Sequence, residues 1–163
     1  VQLLAPGGAV DQDITARDVM DPSPTVLRPG DTIGTAVEHI MSHRYRSLPV
    51  VDGDGRYLGV FGVNCLLRSV LPRAAIMDRG LTSVPFIRET LADLKARLRA
   101  QEHDPISGCM STDVPVVAPD TPLVETLLVL YRNRASLPVV EPASGRLAGM
   151  VSYFDVGEHI LSA

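Results

Sequence analysis

Tryptophan is absent from this chain of 163 residues, and three phenylalanines and four tyrosines are its whole aromatic complement. So few rings weaken any case for a platform that stacks nucleic-acid bases or sugars. Cysteine is nearly absent too: Cys65 and Cys109 do not make a disulfide framework, and a reducing cytoplasm is the expected setting. Lysine and arginine number 15 against 19 acidic residues, for a formal charge of −4 and a pI near 5.5. Nucleic acids and anionic membranes both select a basic face, so neither is an expected partner. Nor is there an apolar run approaching the roughly eighteen residues of a membrane helix. The most apolar stretch, Tyr57 to Leu71, is interrupted by Asn64 and Arg68. No secretory leader is visible, and a start at Val1 reads as a processed or trimmed chain.

What the chain does have is a repeat. Residues 20–71 and 110–161 fall into register when Met20 is set against Met110. Ser47-Leu48-Pro49-Val50-Val51 then lies over Ser136-Leu137-Pro138-Val139-Val140 with one residue gained or lost before it, Gly59 meets Gly149, and Leu71 meets Leu161. A period of about ninety residues is too long for a solenoid. It describes a duplicated half-domain, whose two copies are expected to pack about a pseudo-twofold axis and form equivalent clefts. An apolar fraction of 45% and a mean hydropathy of +0.16 supply enough material for a core at this length.

Each copy has the same order. A short extended segment (Thr25-Val26-Leu27; Val116-Val117) is followed by a helix, with Asp31 or Thr121 as the expected N-cap and Pro122 as the first helical residue. Ile33, Ala36, Val37, Ile40 and Met41 recur at helical spacing as the buried stripe of the first helix. In the second, Leu123, Leu127, Leu130 and Tyr131 form that stripe, and Val124 and Leu128 widen it. A helix this broadly apolar must bury a second face, which predicts a homodimer. A hairpin follows, Ser47–Val51 with Arg56–Phe61 and Ser136–Val140 with Arg146–Val151, and a final helix closes each unit near Val63–Leu71 and Tyr153–Leu161. The expected organisation is a flexible lead-in over 1–13, unit one over 14–71, a helical insert over 72–105 with its helix at Arg88–Gln101, and unit two over 106–163. In that insert Leu91, Leu94 and Leu98 share a stripe, read as packing on the chain itself with partner docking as the alternative.

A β-α-β-β-α unit with a Leu-Pro-Val-Val strand, ending in Gly-x-x-Ser-x-x-Asp, resembles the cystathionine-β-synthase (CBS) domain. Two in tandem resemble the CBS pair, or Bateman module, an α/β (α+β) fold. The resemblance runs from about Ile14 to Leu161 apart from the insert, and the entry segments Arg17-Asp18-Val19-Met20 and Ser107-Gly108-Cys109-Met110 fit it as well. It implies a regulatory module that binds adenosine-containing ligands (AMP, ADP, ATP, sometimes S-adenosylmethionine) between the units. Its most specific element is Gly149-Met150-Val151-Ser152-Tyr153-Phe154-Asp155. Gly149 would admit a close approach of ligand and backbone. Ser152 and Asp155 stand at a strand-to-helix turn, where free N–H groups favour a phosphate. By the resemblance Ser152 touches phosphate, Asp155 holds the ribose, Val114-Pro115-Val116 lines the adenine, and Pro138 in the Leu-Pro strand completes the set. The plainer alternative is that Ser152 and Asp155 cap the last helix.

Repeat one departs from this pattern. Gly62 and Cys65 stand where Ser152 and Asp155 do in repeat two, so the ribose acceptor is gone and Asn64 is only a displaced substitute. The first cleft is therefore expected to be empty or less dependent on ribose. Three residues before each strand proline, a position that faces the cleft in this family, stand Arg46 and Ala135. Arg46 could reach a phosphate held by Ser152, or it could be a solvated surface arginine. His39 and His43 are four apart on a helix but lack a third metal ligand, so no metal is expected. Neither cysteine has a partner that would activate it. The expected function is a non-catalytic module that senses an adenine nucleotide and passes its occupancy to an effector domain or protein. The alternatives are a ligand-free dimerisation module and a small enzyme acting on nucleotides.

Overall fold

A computed structural model describes residues 14–71 and 90–162. Unit one comprises helix α2 (Ile33–His43), the antiparallel pair β1 (Ser47–Val51) and β2 (Tyr57–Gly62), and helix α3 (Val63–Val70). Unit two repeats this as α5 (Leu123–Asn133), β3 (Leu137–Val140) with β4 (Leu147–Val151), and α6 (Tyr153–Leu161). A short helix α1 (Ala16–Val19) precedes unit one, and helix α4 (Leu91–Gln101) with a 3-10 turn at Ile106–Gly108 precedes unit two. The first strand of each repeat shrinks to a single parallel bridge, Leu27 to Val50 and Val117 to Val139.

Each hairpin turns on a glycine at positive φ, Gly55 (81°) and Gly145 (73°), a conformation most side chains resist. The two tips then pair with each other: Tyr57 N–H donates to the Gly145 carbonyl at 2.9 Å and Leu147 N–H to the Gly55 carbonyl at 3.0 Å. This mutual pairing relates the units about the pseudo-twofold axis.

Two cores result, and each borrows from the other repeat. Leu27, Ile33, Ile40, Leu48, Phe61 and Cys65 pack with Ile106, whereas Val117, Leu130, Leu137, Val139 and Val151 pack with Ala16 and Val19. The entry segments are thus exchanged. Asp21 pairs with Met150 in β4 (N–H to carbonyl 2.8 and 3.0 Å), and Ser111 pairs with Val60 in β2 (2.8 and 2.9 Å). Gly149 and Gly59 are needed here: a Cβ at Gly149 would fall on the Asp21 carbonyl and 2.8 Å from Met20 Sδ, and one at Gly59 would lie 2.5 Å from the Ser111 carbonyl. The close neighbour of Gly149 is the chain's own entry strand, not a ligand as its position in the motif suggested.

The helix ends correct several expectations. Thr32, not Asp31, caps α2, accepting from Thr35 N–H at 3.2 Å; Asp31 instead accepts from Arg28 N–H and closes the preceding turn. Pro122 is the N-cap of α5 rather than its first residue, and Thr121 accepts from Ala118 N–H. Met41 and Tyr131, placed in the buried stripes by spacing alone, are exposed. Helix α4 begins at Leu91 behind a Thr90–Asp93 capping box; Arg88 and Glu89 of the expected span, like the lead-in 1–13, lie outside the described residues. It docks on unit one, where Gln101 Nε2 donates to the Ser69 carbonyl and Arg97 to that of Val70, at 2.8 and 2.6 Å. Leu98 packs on the core and Leu91 is exposed.

Candidate functional site: the cleft between the units

The exchange of entry segments builds the cleft. Residues 22–26 leave unit two at the Asp21–Met150 pairing and join unit one at Leu27, where Leu27 N–H bonds the Pro49 carbonyl and Val51 N–H bonds the Leu27 carbonyl, both at 2.9 Å. In crossing, they run beside the β4–α6 turn. Between them lies a cavity of about 470 Å³, within the usual size range of small-molecule sites. Unit one contributes Pro24, Thr25, Tyr45, Arg46, Ser47 and Pro49 to its wall, and unit two contributes Ser136, Ser152, Tyr153 and Asp155. Arg46, Ser152 and Asp155, singled out from sequence, are thereby brought together.

Val114, Pro115, Val116 and Pro138 are not among the residues lining this cavity. Residues 112–116 make the mirror-image crossing, from Val60 to Val139, and so run beside the turn of repeat one. Their counterparts Pro24 and Thr25 stand next to Ser152, and Pro49 lines the cavity where Pro138 was expected; Pro138 itself is buried opposite Met150. Nothing local in the sequence marks which crossing segment meets which turn.

At the turn, Ser152 and Asp155 form a reciprocal capping box. Asp155 Oδ2 accepts from Ser152 N–H (2.8 Å) and from Ser152 Oγ–H (2.7 Å), and Ser152 Oγ accepts from Asp155 N–H (3.2 Å). The cap fixes both side chains on the cavity wall. It occupies one carboxylate oxygen; Oδ1 accepts nothing from the described residues. The first-turn N–H groups of Tyr153 and Phe154 have no intrahelical acceptor and carry the positive end of α6. Tyr153 is anchored by its own hydroxyl, which donates to the Leu130 carbonyl at 3.1 Å. Arg46 is exposed on the facing wall and has no ion pair with a described residue. Unit two thus offers a carboxylate and amide donors to the cavity and unit one a guanidinium, the groups that a ligand with hydroxyls and an anionic end would use.

The turn of repeat one is built differently. A Cβ at Gly62 would lie 2.9 Å from the Arg46 carbonyl and 3.2 Å from Ser47 Cβ, so this N-cap position has little room for a side chain. Cys65, at the position of Asp155, is 1% exposed and points into the core, donating to the Cys109 carbonyl at 3.2 Å. The Arg68 guanidinium then reaches over it to the Cys109 carbonyl (3.2 Å) and to Ser111 Oγ (3.4 Å). Burial pushes the Cys109 thiol up to about 11, so it stays protonated. Asn64 is exposed. The turn of unit one therefore lacks the hydroxyl and carboxylate that the turn of unit two carries on the cavity wall.

The family model for the CBS domain matches twice, over residues 16–72 and 106–162. The chain belongs to the CBS-domain family. A CBS domain-containing chloroplast protein of Arabidopsis thaliana, CBSX2, is 35% identical over 54 residues, which is 33% of this chain and 23% of the relative. The chain spans 23% and 66% of the lengths of the curated relatives it matches. A structure described as CBSX2 in complex with AMP superposes with a TM-score of 0.65 at 22% identity, covering 91% of this chain and 96% of that one. MJ1225 of Methanocaldococcus jannaschii, described as a proposed archaeal homologue of the γ subunit of AMPK, gives a TM-score of 0.70 at 18% identity, covering 92% and 49%. These likenesses establish the tandem CBS fold.

Other residues singled out from sequence lie outside the cleft's chemistry. His39 and His43 stack with ring centroids 6.0 Å apart, His43 stacks on Tyr45 at 5.4 Å, and no cluster of metal-ligating residues occurs among the described residues. No helix among the described residues is long and apolar enough to cross a membrane. Both helices of the second CBS unit present apolar groups to solvent: Val124 is 78% exposed and Tyr131 74% on α5, with Phe154 at 84% and Leu161 at 87% on α6.

Proposed function

We propose that this CBS pair is a regulatory module that binds one adenine nucleotide in the cleft and passes its occupancy to another domain or protein. The observation that carries this reading is the convergence of Arg46 from unit one with the Ser152–Asp155 turn of unit two on one cavity. Asp155 Oδ1 would accept from the ribose hydroxyls. The α6 N-terminus, Ser152 and Arg46 would hold the phosphate, and the base would lie against Pro24, Thr25 and Pro49. The AMP complex of the similarly folded CBSX2 supports the ligand class. One nucleotide per chain is expected, because Gly62, Cys65 and Arg68 leave the other turn without the matching groups. A ligand gripped by both units favours the arrangement that grips it, and so shifts their relative orientation.

The role is read as regulatory rather than catalytic, a reading supported by membership of the CBS-domain family over both units. The exposed apolar rows of α5 and α6 are read as the contact of a homodimer, and the two unbridged thiols suit a reducing cytoplasm. A second reading, a ligand-free dimerisation module, draws on the completeness of the capping box, which gives Ser152 and Asp155 a purely structural use. Calorimetric titration with AMP, ADP, ATP, S-adenosylmethionine and NADH separates the two. Saturable heat with one ligand per chain is the expected result; no heat from any of the five would leave the dimerisation module.

A further inference from the structure

Ser47 opens strand β1 next to Arg46 and lines the same cavity, yet its hydroxyl oxygen is closed to solvent and has no hydrogen-bond partner among the described residues. It is one of two such buried side-chain atoms there, and the other, the Tyr57 hydroxyl, is not on the cavity wall. A hydroxyl in that position forfeits the hydrogen bonds it would make in water, and in native proteins such a group calls for an explanation. Fold stability does not provide one. The residue opposite in β2 is Gly62, whose backbone would accept an alanine at position 47 as readily as a serine.

We infer that Ser47 is a ligand-reading residue whose hydroxyl donates to the anionic end of the nucleotide. Three observations converge on that end. The neighbour Arg46 brings a guanidinium to the same wall, and Arg44 a second. Ser136, the counterpart of Ser47, lines the cavity as well, so the cavity extends to the pseudo-twofold axis where the two β1-type strands begin. Ser152 and the first turn of α6 line the cavity from unit two, so a phosphate held there would meet the serine–arginine edge of unit one from the other side. Rotation about the single χ1 bond suffices to turn the hydroxyl between staggered positions. A serine hydroxyl beside arginines serves an anion as a donor, and a bond to a charged acceptor is among the stronger kinds.

The inference rests on the nucleotide reading of the cleft, and its test separates the two. Wild type and Ser47→Ala are titrated with adenosine, AMP and ADP, and their unfolding is measured without ligand. The expected result is a roughly ten- to hundred-fold loss of AMP and ADP affinity, with adenosine affinity within about two-fold of wild type and the ligand-free midpoint unchanged or raised. An equal loss for adenosine would assign Ser47 to the nucleoside and overturn the phosphate assignment. Unchanged AMP and ADP affinity would overturn the inference while leaving the nucleotide site standing. A wild type that binds none of the three would overturn both.

Discussion

Asp155 has one carboxylate oxygen committed to the fold and one available to a ligand, so its replacement should act on two observables by different amounts. In Asp155→Ala the Oδ2 contacts to Ser152 N–H and Oγ, at 2.8 and 2.7 Å, are lost together. Loss of a capping interaction costs about 1 kcal/mol, with a further few tenths from the missing negative charge in the first turn of α6. For a chain of this length that corresponds to a fall of roughly 2–4 °C in the melting midpoint. Ser152→Ala breaks the same box from the other side, so the double variant should lose well short of the sum of the two. Binding is the second observable. Removing a charged acceptor from a ribose hydroxyl costs about 1.5–3 kcal/mol per bond, or roughly ten- to a hundred-fold in affinity. The paired measurement is urea unfolding without ligand and calorimetric titration with the tightest of the adenine nucleotides. A variant that loses the expected stability but binds as tightly as wild type would show that Asp155 only caps its helix, and the ribose assignment would fall.

Two further outcomes test the architecture itself. Gly149→Ala would drive a methyl group onto the Asp21 carbonyl and Met20 Sδ, loosening the Asp21–Met150 pairing; overpacking of this kind costs about 1–3 kcal/mol, and hydrogen exchange should show Met150 N–H deprotected, whereas an unperturbed amide would contradict the exchanged pairing. Val124→Glu with Leu128→Glu, both on the outer face of α5, should leave the chain's unfolding free energy within about 0.5 kcal/mol while converting a dimer to a monomer in sedimentation velocity; a wild type already monomeric at micromolar concentration refutes the interface.

Helix and hairpin were legible from the sequence wherever period and turn chemistry act locally. Tyr153–Leu161 is helical over the span expected for the helix that closes the unit, and the Leu-Pro-Val-Val strands pair with the segments that follow their Gly-containing turns. What local reasoning misses is set at long range. Asp31 and Thr32 are both good caps, and the choice between them depends on Arg28 N–H claiming Asp31 for the preceding turn. Met41 and Tyr131 sit on apolar stripes by spacing, but the edge of a stripe reaches the core only if another element covers it. The Ser152–Asp155 turn was found because the chemistry lies within four residues. The resemblance implies Val114, Pro115 and Val116 as its opposite wall, whereas the cavity beside the turn is lined by Pro24 and Thr25. The glycines at 59 and 149 carried the missing information: each is a strand position where another backbone approaches, and that backbone belongs to the other copy's entry segment.

That exchange also bears on how occupancy could travel. Residues 22–26 are held at both ends, by the Asp21–Met150 pair on unit two and by the Leu27 bonds to Pro49 and Val51 on unit one, and they form part of the cavity wall in between. Had the entry segment packed within its own unit, a cleft ligand would touch two bodies joined only by the hairpin tips and the insert. With the exchange, a change in the distance between Arg46 and Asp155 must also be accommodated by five residues containing two prolines, Pro22 and Pro24, whose fixed φ leaves little slack. Separation of the units would break the paired tips at Tyr57–Gly145 and Leu147–Gly55, whereas a rotation about them would leave those bonds in place. Such a rotation would move the exposed faces of α5 and α6 as one body, because Tyr153 ties the two helices through the Leu130 carbonyl. The turn that would hold the ligand is the first turn of the helix that would meet a partner: Ser152, Phe154 and Asp155 all line the cavity, and Phe154 is at the same time 84% exposed.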